Sequence, residues 1–484
     1  MGTLNQVPPE MWVKILDGLP PSTLRAVYDS TKFLKGVSSG LIHSHFTFHP
    51  YYRKNATSVI RLRSDANVQA ALERLDYWSA NEIVRHVRSC SLEPWETTFE
   101  TKRAGAIFDT DEPLVLLDAF FQRLPSFTGL TRFHADRVHF SADAVTTLRG
   151  LPLLRDIQIS LCTVAWDEEA PSQVLALTNF AIHPHHDMST DVTGDFNFWI
   201  NSLRTDVLRK LEVQWNPQIP FQHIHIISSF RALVELSIDV DLSHITLHFL
   251  SLLSQLRIRV LGLSDSKGHR ISLQSDETQQ LPVPFIPTLT DYCGPIHTLH
   301  IFLRCPGLTR LITHDGDNVE LMLLLQSHAP PRITSLTATF IRQLQWLSFE
   351  EMLKFLPHLT ELRINAKSGS PETLTQLLDT LAHAVNLPRS LTRLALILES
   401  LPPLPDARTP LALPNYAPLR AVLAGRCTAF ERLWISHARH VYSWRPRNLD
   451  GVEEERAVEV PVCVCAHLDG GLKVDAMFEG FWGL

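Results

Sequence analysis

The sequence predicts an α/β fold in which short parallel strands alternate with helices and stack as a solenoid. A recurring phrase of spaced apolar residues predicts the strands, and amphipathic segments between its copies predict the helices. Length adds a third observation, because 484 residues exceed what one hydrophobic core usually holds. A repetitive fold grows by adding units and avoids that limit. We therefore expect a curved parallel sheet with outer helices, preceded by a small all-α segment.

The recurring phrase is an apolar residue, two mostly polar residues and a second apolar residue. Five intervals between successive copies are 23–26 residues, which is typical of leucine-rich repeats of about 20–29 residues. The copy at 154–164 fits L-x-x-L-x-L-x-x-N/C-x-L at every defined position. Each copy predicts one short strand with its apolar side chains pointing inward. The copies begin at 130, 154, 177, 208, 233, 308, 333, 359, 391 and 430.

The long interval between 233 and 308 has room for two more units. Residues 258–263 provide one strand, and either 289–292 or 296–301 provides the other. Residues 87–92 are a candidate first strand. The strand count therefore stays open at this point.

The segments between strands carry helix signals. Ser370 is followed by Pro371 and Glu372, an N-cap with proline and an acid in the first turn. Ser348 and Glu351 form a capping box that predicts another helix. A doubly wound α/β fold is the rival, but it needs a glycine-rich phosphate turn after a strand, and the sequence contains none.

Residues 7–37 predict a separate helical segment. Two prolines open a first helix, Pro20-Pro21-Ser22 breaks it and caps a second, and a third carries Phe33 and Leu34. Its apolar residues exceed what one small bundle can bury, which indicates a partner surface. The order of these residues resembles the F-box pattern, although Thr31 and Leu34 stand where that family usually has Cys and Trp. The residues expected to contact a partner are Pro8, Pro9, Glu10, Ile15, Leu16, Leu19, Leu24 and Val27.

An F-box followed by irregular leucine-rich repeats resembles the substrate receptors of cullin–RING ubiquitin ligases, a type common in fungi. The resemblance implies that the helices bind a Skp-type adaptor and, through it, a cullin. The solenoid would present a protein substrate, so the chain itself would catalyse nothing and would raise effective concentration. The expected domains are 1–45 (F-box), 46–80 (linker and helical connection) and 81–484 (solenoid). A helical cap on an interaction scaffold is the alternative reading of the first 40 residues.

Charge and composition narrow the function further. A net charge of −7 argues against a protein that mainly grips nucleic acid. No stretch has the roughly 18 consecutive apolar residues of a membrane span, and no secretory signal opens the chain. The seven scattered cysteines are typical of reduced thiols, so we expect a cytoplasmic or nuclear protein with no membrane partner.

Catalytic and metal motifs are scarce. We find no G-x-S-x-G elbow, phosphate loop, dinucleotide fingerprint or H-E-x-x-H, and expect no cofactor, although a hydrolase or transferase on an unrecognised α/β fold stays an alternative. Residues 183–187, with three histidines and an aspartate, suit a polar loop better than a metal site. Residues 313–318 superficially resemble a calcium loop but lack its closing glutamate, which favours a turn.

Overall fold

A computed structural model describes the chain as two compact units, Met1–Val240 (unit 1) and Asp241–Leu484 (unit 2). The described residues are 11–12, 15–16, 19, 21–30, 32–53, 59–62, 65–96, 107–108, 115–165, 174–183, 192–214, 226–239, 245–264, 285–328, 332–340, 346–366, 371–384, 386–398, 415–437, 440–446 and 454–459.

Unit 1 is built on a parallel sheet with the strand order β1-β4-β7-β9-β11-β12-β13. A small sheet has the order β5-β2-β3-β6, and β8 pairs with β10. Its elements are α1 (Pro21–Ser30), α2 (Lys32–Ile42), β1 (His45–Phe48), β2 (Tyr51–Arg53), β3 (Val59–Leu62), α3 (Asp65–Ser79), α4 (Asn81–Val84), β4 (Ser89–Leu92), β5 (Trp95–Glu96), β6 (Ile107–Phe108), α5 (Val115–Arg123), β7 (Arg132–Asp136), β8 (His139–Phe140), α6 (Ala142–Arg149), β9 (Asp156–Ser160), β10 (Thr163–Val164), β11 (Asn179–His183), α7 (Val192–Asn201), β12 (Lys210–Gln214) and β13 (Glu235–Asp239).

Unit 2 contains strands β14 to β22 in chain order, each beside the next. The pairs from β14 to β20 are parallel, and β21 and β22 are added antiparallel. Its elements are α8 (Leu247–Gln255), β14 (Val260–Ser264), β15 (Asp291–Pro295), α9 (Leu299–Phe302), β16 (Arg310–Gly316), α10 (Asn318–Ser327), β17 (Ser335–Phe340), α11 (Trp346–Lys354), β18 (Glu361–Ala366), α12 (Pro371–His383), β19 (Arg393–Leu398), α13 (Ala417–Arg426), β20 (Arg432–His437), β21 (His440–Arg445) and β22 (Glu454–Glu459).

Each strand of the parallel sheets buries the apolar positions of the repeat. In β9, Ile157 and Ile159 are 0% and 1% exposed, and Leu154, which opens the same phrase, is 3% exposed. Burying such a side chain contributes about 1.5–3 kcal/mol relative to leaving it in water. The leucines therefore place strands and helices around a shared core in each repeat, an arrangement like that of leucine-rich repeats.

Aromatic side chains fill the start of the core in unit 1. Phe46 and Phe48 of β1 stack on Phe120 of α5 at ring distances of 6.5 and 5.5 Å. Phe127 stacks on Phe46 at 5.9 Å. These rings bury β1 and join it to the repeats that follow, because aromatic side chains contribute large apolar area.

All ten copies of the predicted phrase lead into strands of the parallel sheets. Residues 258–263 lead into β14. Of the two alternatives for the other strand, residues 289–292 are the correct one, because they lead into β15. Residues 296–301 are helical instead. Helix α12 begins at Pro371 as predicted, whereas α11 begins at Trp346, two residues before the predicted N-cap Ser348.

The sheet of unit 1 begins earlier in the chain than predicted. Its first strand is β1, which pairs in parallel with β4 inside the predicted strand at 87–92. The interval 46–80, expected to be a linker with a helical connection, thus holds most of β1 together with α3. The signal was weak because β1 has four residues and no L-x-x-L phrase before it.

The antiparallel strands β21 and β22 were not predicted either. Only two residues separate β20 from β21. A parallel crossover needs about a dozen residues or more, so the chain can only return as a hairpin.

Threonines at the second position of the phrase bind neighbouring repeats together. In unit 2 the hydroxyl of Thr360 donates to the carbonyl oxygen of Thr334 at 2.9 Å, and that of Thr392 donates to the carbonyl of Thr360 at 2.9 Å. Thr131 and Thr178 make the same bond to arginine carbonyls in unit 1 at 2.9 and 3.1 Å. The recurring Leu-Thr in the sequence is thus explained by a ladder of hydrogen bonds across the turns that precede the strands.

Candidate protein-binding face

The first, third and fifth side chains of each repeat strand lie on the sheet face opposite the leucines, because successive side chains alternate between faces. In unit 1 the register brings the first positions into a row of polar and charged residues. Neighbouring strands are about 4.8 Å apart, so each member of the row lies beside the next. From β7 to β13 the row consists of Arg132, Asp156, Asn179, Lys210 and Glu235.

Contacts within this row tie neighbouring strands together. The Asn179 amide nitrogen donates to an Asp156 carboxylate oxygen at 3.3 Å. The Lys210 ammonium lies 3.7 Å from the Glu235 carboxylate. Both lysine and glutamate are about half exposed, so this pair contributes about 0–1 kcal/mol to stability. This ion pair therefore adds little to the stability of the sheet.

A recess opens in this face where Ala181 occupies the third position of β11. The in-register neighbours of Ala181 are Gln158 and Glu212, which are much longer. The short alanine leaves a cavity of about 180 Å³ between them. Its lining residues are Asp156, Gln158, Asn179, Phe180, Ala181, Lys210 and Glu212.

Hydrogen bonds hold Glu212 in place at the edge of the recess. The ring nitrogen Nε2 of His183 lies 3.3 Å from the Glu212 carboxylate, and Nδ1 of the same ring lies 3.3 Å from the Ser160 hydroxyl. A tautomer with the proton on Nε2 satisfies both bonds, since the hydroxyl then donates to Nδ1. The hydrogen bond from His183 lowers the pKa of Glu212, against the opposing effect of burial. Glu212 is therefore ionised at neutral pH.

Unit 2 carries its own charged row. The Arg393 guanidinium binds Glu361 and Glu431, each at 3.2 Å. The Ser335 hydroxyl donates to the second oxygen of Glu361 at 3.1 Å. Arg393 thus has two carboxylate partners, although its in-register neighbour on β20 is Arg432.

The residues expected to bind an adaptor fall into three groups. Pro8, Pro9 and Glu10 lie outside the described residues. Ile15 is 52% exposed, whereas Leu16 is 2% exposed. The other three members, Leu19, Leu24 and Val27, are half-buried.

Helical spacing explains why the adjacent residues Ile15 and Leu16 differ so strongly in exposure. Residues 11–12 and 15–16 are helical, and residues four apart share a helix face. Trp12 contacts Phe33 of α2 at a ring distance of 6.5 Å, and Leu16 lies on the same buried face. Met11, which the sequence reasoning missed, is 48% exposed beside Ile15. Met11 and Ile15 therefore form the outward apolar face of this helix.

Two segments were considered as metal sites in the sequence, residues 183–187 and residues 313–318. Among the residues described, no three His, Cys, Asp or Glu side chains come together as a metal site. His183 ends β11, while 184–187 lie outside the described residues. In the calcium-like segment, the Asp317 carboxylate accepts the Glu320 backbone N–H at 2.7 Å and caps α10. The turn expected at 313–318 is therefore wrong for most of the segment, because 313–316 belong to β16 and the chain passes through the N-cap Asp317 directly into α10.

Comparisons with known proteins leave the chain without a family assignment. No family model matches it, and no curated protein matches it. Among solved structures, it is similar to the crystal structure of a TLR13–ssRNA13 complex, with 11% identity and a TM-score of 0.30. The match covers 68% of this chain and 49% of that one, so this chain spans about half of its length. None of the helices described here has the length and apolar character needed to cross a membrane.

Proposed function

We propose that this chain is a protein-binding receptor whose sheet face in unit 1 recognises a segment carrying a lysine or arginine side chain. The observation that carries the proposal is the recess over Ala181. Lys210 is directed to Glu235, which leaves Asp156 and Glu212 as acceptors at the edge. A long cationic side chain would lay its methylenes on the alanine floor and bring its charge to these carboxylates.

The size of the recess favours a side chain over a free metabolite. Small-molecule sites usually enclose about 300–1,000 Å³. The recess has about 180 Å³. It is open on a sheet face whose polar rows continue across neighbouring strands. A protein segment lying across these strands would contact the rows while one residue entered the recess.

Selection from a library of random twelve-residue peptides tests this proposal. We expect the wild-type chain to enrich lysine and arginine at one position. Ala181→Leu fills the recess and should abolish the enrichment, and Asp156→Asn with Glu212→Gln should reduce it. Ser237→Ala, on the third position of β13, is the matched control on the same face. Enrichment that survives Ala181→Leu, or selection of acidic peptides, would overturn the proposal.

We further propose that the receptor is a non-catalytic subunit of a Skp–cullin–F-box ubiquitin ligase. The F-box resemblance supports this, together with the exposed pair Met11 and Ile15 on the helical segment that precedes α1. An adaptor that covers this pair would remove two large apolar side chains from water, at about 25 cal/mol per Å² of apolar surface buried. The substrate would then bind the sheet face, and the adaptor would link it to a cullin.

Co-purification with a Skp-type adaptor tests the ligase proposal separately. We expect a stoichiometric complex that Met11→Asp with Ile15→Asp abolishes while circular dichroism stays unchanged. Val115→Asp is the matched control, because Val115 is also an apolar helix residue with 47% exposure. If the folded wild-type chain binds no adaptor, the receptor would be an interaction scaffold and its helices a cap on the repeats.

A further inference from the structure

Cys293 differs in its surroundings from the other four cysteines that the structure describes. Among the described residues, four cysteines are buried, and Cys293 is half-exposed on the sheet face of unit 2. Burial raises the pKa of Cys305 to about 12 and that of Cys427 to about 11, and raises those of Cys90 and Cys162 still further. These four thiols therefore stay protonated and shielded at neutral pH. They can serve as reference thiols when the reactivity of Cys293 is measured.

A histidine lies within hydrogen-bonding distance of the Cys293 thiol. Cys293 is at the third position of β15, and His314 is at the fifth position of the neighbouring β16. Alternation places both side chains on the face opposite the buried Tyr292 and Leu311. Their atoms Sγ and Nε2 are 3.1 Å apart. A thiol in this position can pass its proton to the imidazole.

The strand on the other flank leaves the sulfur accessible. Gly262 of β14 is the in-register neighbour of Cys293 and has no side chain to cover it. The charged side chains described on the two strands of the pair are Asp291 and Arg310, in the adjacent row. The Asp291 carboxylate already accepts the Thr290 hydroxyl at 2.5 Å. The pair is thus polar and lies on the face of the unit 2 sheet opposite the leucines, where a small reagent can reach the half-exposed Cys293.

We propose that Cys293 and His314 form a thiol-modification site whose reagent class is the hydroperoxides. The Sγ–H proton moves to Nε2 of His314, and the thiolate attacks one peroxide oxygen. The O–O bond breaks, and the leaving oxygen takes the proton from His314 to form water or an alcohol. Sulfur is oxidised by two electrons to a sulfenic acid, and the peroxide is reduced by two.

The first measurement is the rate at which iodoacetamide alkylates each cysteine, read by peptide mass spectrometry. The chain carries Cys463→Ser and Cys465→Ser, because those thiols lie outside the described residues. We expect Cys293 to react at least about tenfold faster at pH 7 than the four buried thiols. His314→Ala should slow it by about fivefold or more and move the midpoint of its pH–rate profile toward about 8.5.

The second measurement uses hydrogen peroxide with a dimedone trap for sulfenic acid. We expect the adduct at Cys293 and its loss in His314→Ala. His383→Ala, which removes an exposed histidine of α12 in the same unit, is the matched control and should change neither rate. A Cys293 rate equal in the wild type and His314→Ala, or no dimedone adduct on the wild type, would overturn the proposal. Circular dichroism of each variant shows whether a lower rate comes from the missing imidazole or from unfolding of the protein.

Discussion

The carbonyl oxygen of Thr334 accepts both the hydroxyl of Thr360, at 2.9 Å, and its backbone N–H, at 2.7 Å. This doubled contact recurs between successive repeats, since the Thr360 carbonyl accepts the hydroxyl and the N–H of Thr392 in the same way, at 2.9 and 2.8 Å. The repeated phrase is defined by its apolar residues, but its threonine also makes the hydrogen bonds that connect one repeat to the next.

Replacing Thr360 should weaken unit 2. Thr360→Val keeps the shape but leaves out the hydroxyl, so we expect a loss of about 1 kcal/mol in the free energy of unfolding. Thr337→Val, on the sheet face of β17, should change it by less than about 0.5 kcal/mol. Urea unfolding followed by circular dichroism measures both. Equal midpoints for the two variants would show that the ladder does not stabilise the repeats.

Side-chain truncation should have different effects on the two sides of the helical segment that precedes α1. Leu16→Ala removes a side chain that is 2% exposed and should cost about 2–4 kcal/mol. Ile15→Ala removes one that is 52% exposed and should cost less than about 0.5 kcal/mol. Thermal unfolding of the two variants measures the contrast. A larger loss for Ile15→Ala would mean that the exposed face packs inside the protein.

His43 should make unit 1 less stable in mild acid. His43 is 5% exposed, and neither of its ring nitrogens has a hydrogen-bond partner among the residues that the structure describes. Tyr28, Tyr77 and Trp78 surround it at ring distances of 5.8, 6.2 and 5.4 Å. Burial, with His86 and Lys35 nearby, lowers its pKa below 6.5. Because the folded pKa lies below the unfolded value, the stability it supports is complete above about pH 6.5. That stability is lost as the pH falls through the folded pKa.

His43→Phe should therefore flatten the pH dependence. We expect the urea midpoint of the wild type to fall between about pH 7.5 and 5.5 by more than that of the variant. His358→Phe, which replaces an exposed histidine, should keep the wild-type dependence. Parallel curves for the wild type and His43→Phe would contradict this assignment.

Replacing each of two glycines of unit 2 with alanine should change the stability in opposite directions. A Cβ on Gly316, at the end of β16, would lie 2.1 Å from Cδ1 and 2.7 Å from Cβ of Ile296, so we expect Gly316→Ala to cost about 1–3 kcal/mol. A Cβ on Gly425 meets nothing within 4 Å, and Gly425 lies in α13. Gly425→Ala should therefore stabilise by about 0.5 kcal/mol. Differential scanning calorimetry measures both signs, and a stabilising Gly316→Ala would contradict the contact with Ile296.

The spacing of leucines by itself determined the repeats. The copy at 154–164 and the other nine copies lead into strands because an L-x-x-L-x-L pattern places its apolar side chains on one side of a short strand. The same pattern at 296–301 is helical, so the pattern alone does not exclude a helix. The helix at Pro371 was predicted for the same kind of local reason, since its cap and its leucine stripe belong to one segment. All eight residues expected to bind an adaptor, Leu16 and Ile15 included, stay predictions that binding experiments test.

Tertiary structure decided everything that depends on register between distant segments. The recess exists because Ala181 lies between Gln158 and Glu212, residues more than twenty positions away in either direction. The pair of Cys293 and His314 and the threonine ladder have the same origin. The exposures of Ile15 and Leu16 depend on which face of their helix meets Phe33 and its neighbours. Local sequence sets the period of a segment, but the side chains that meet across strands are set by how the segments pack.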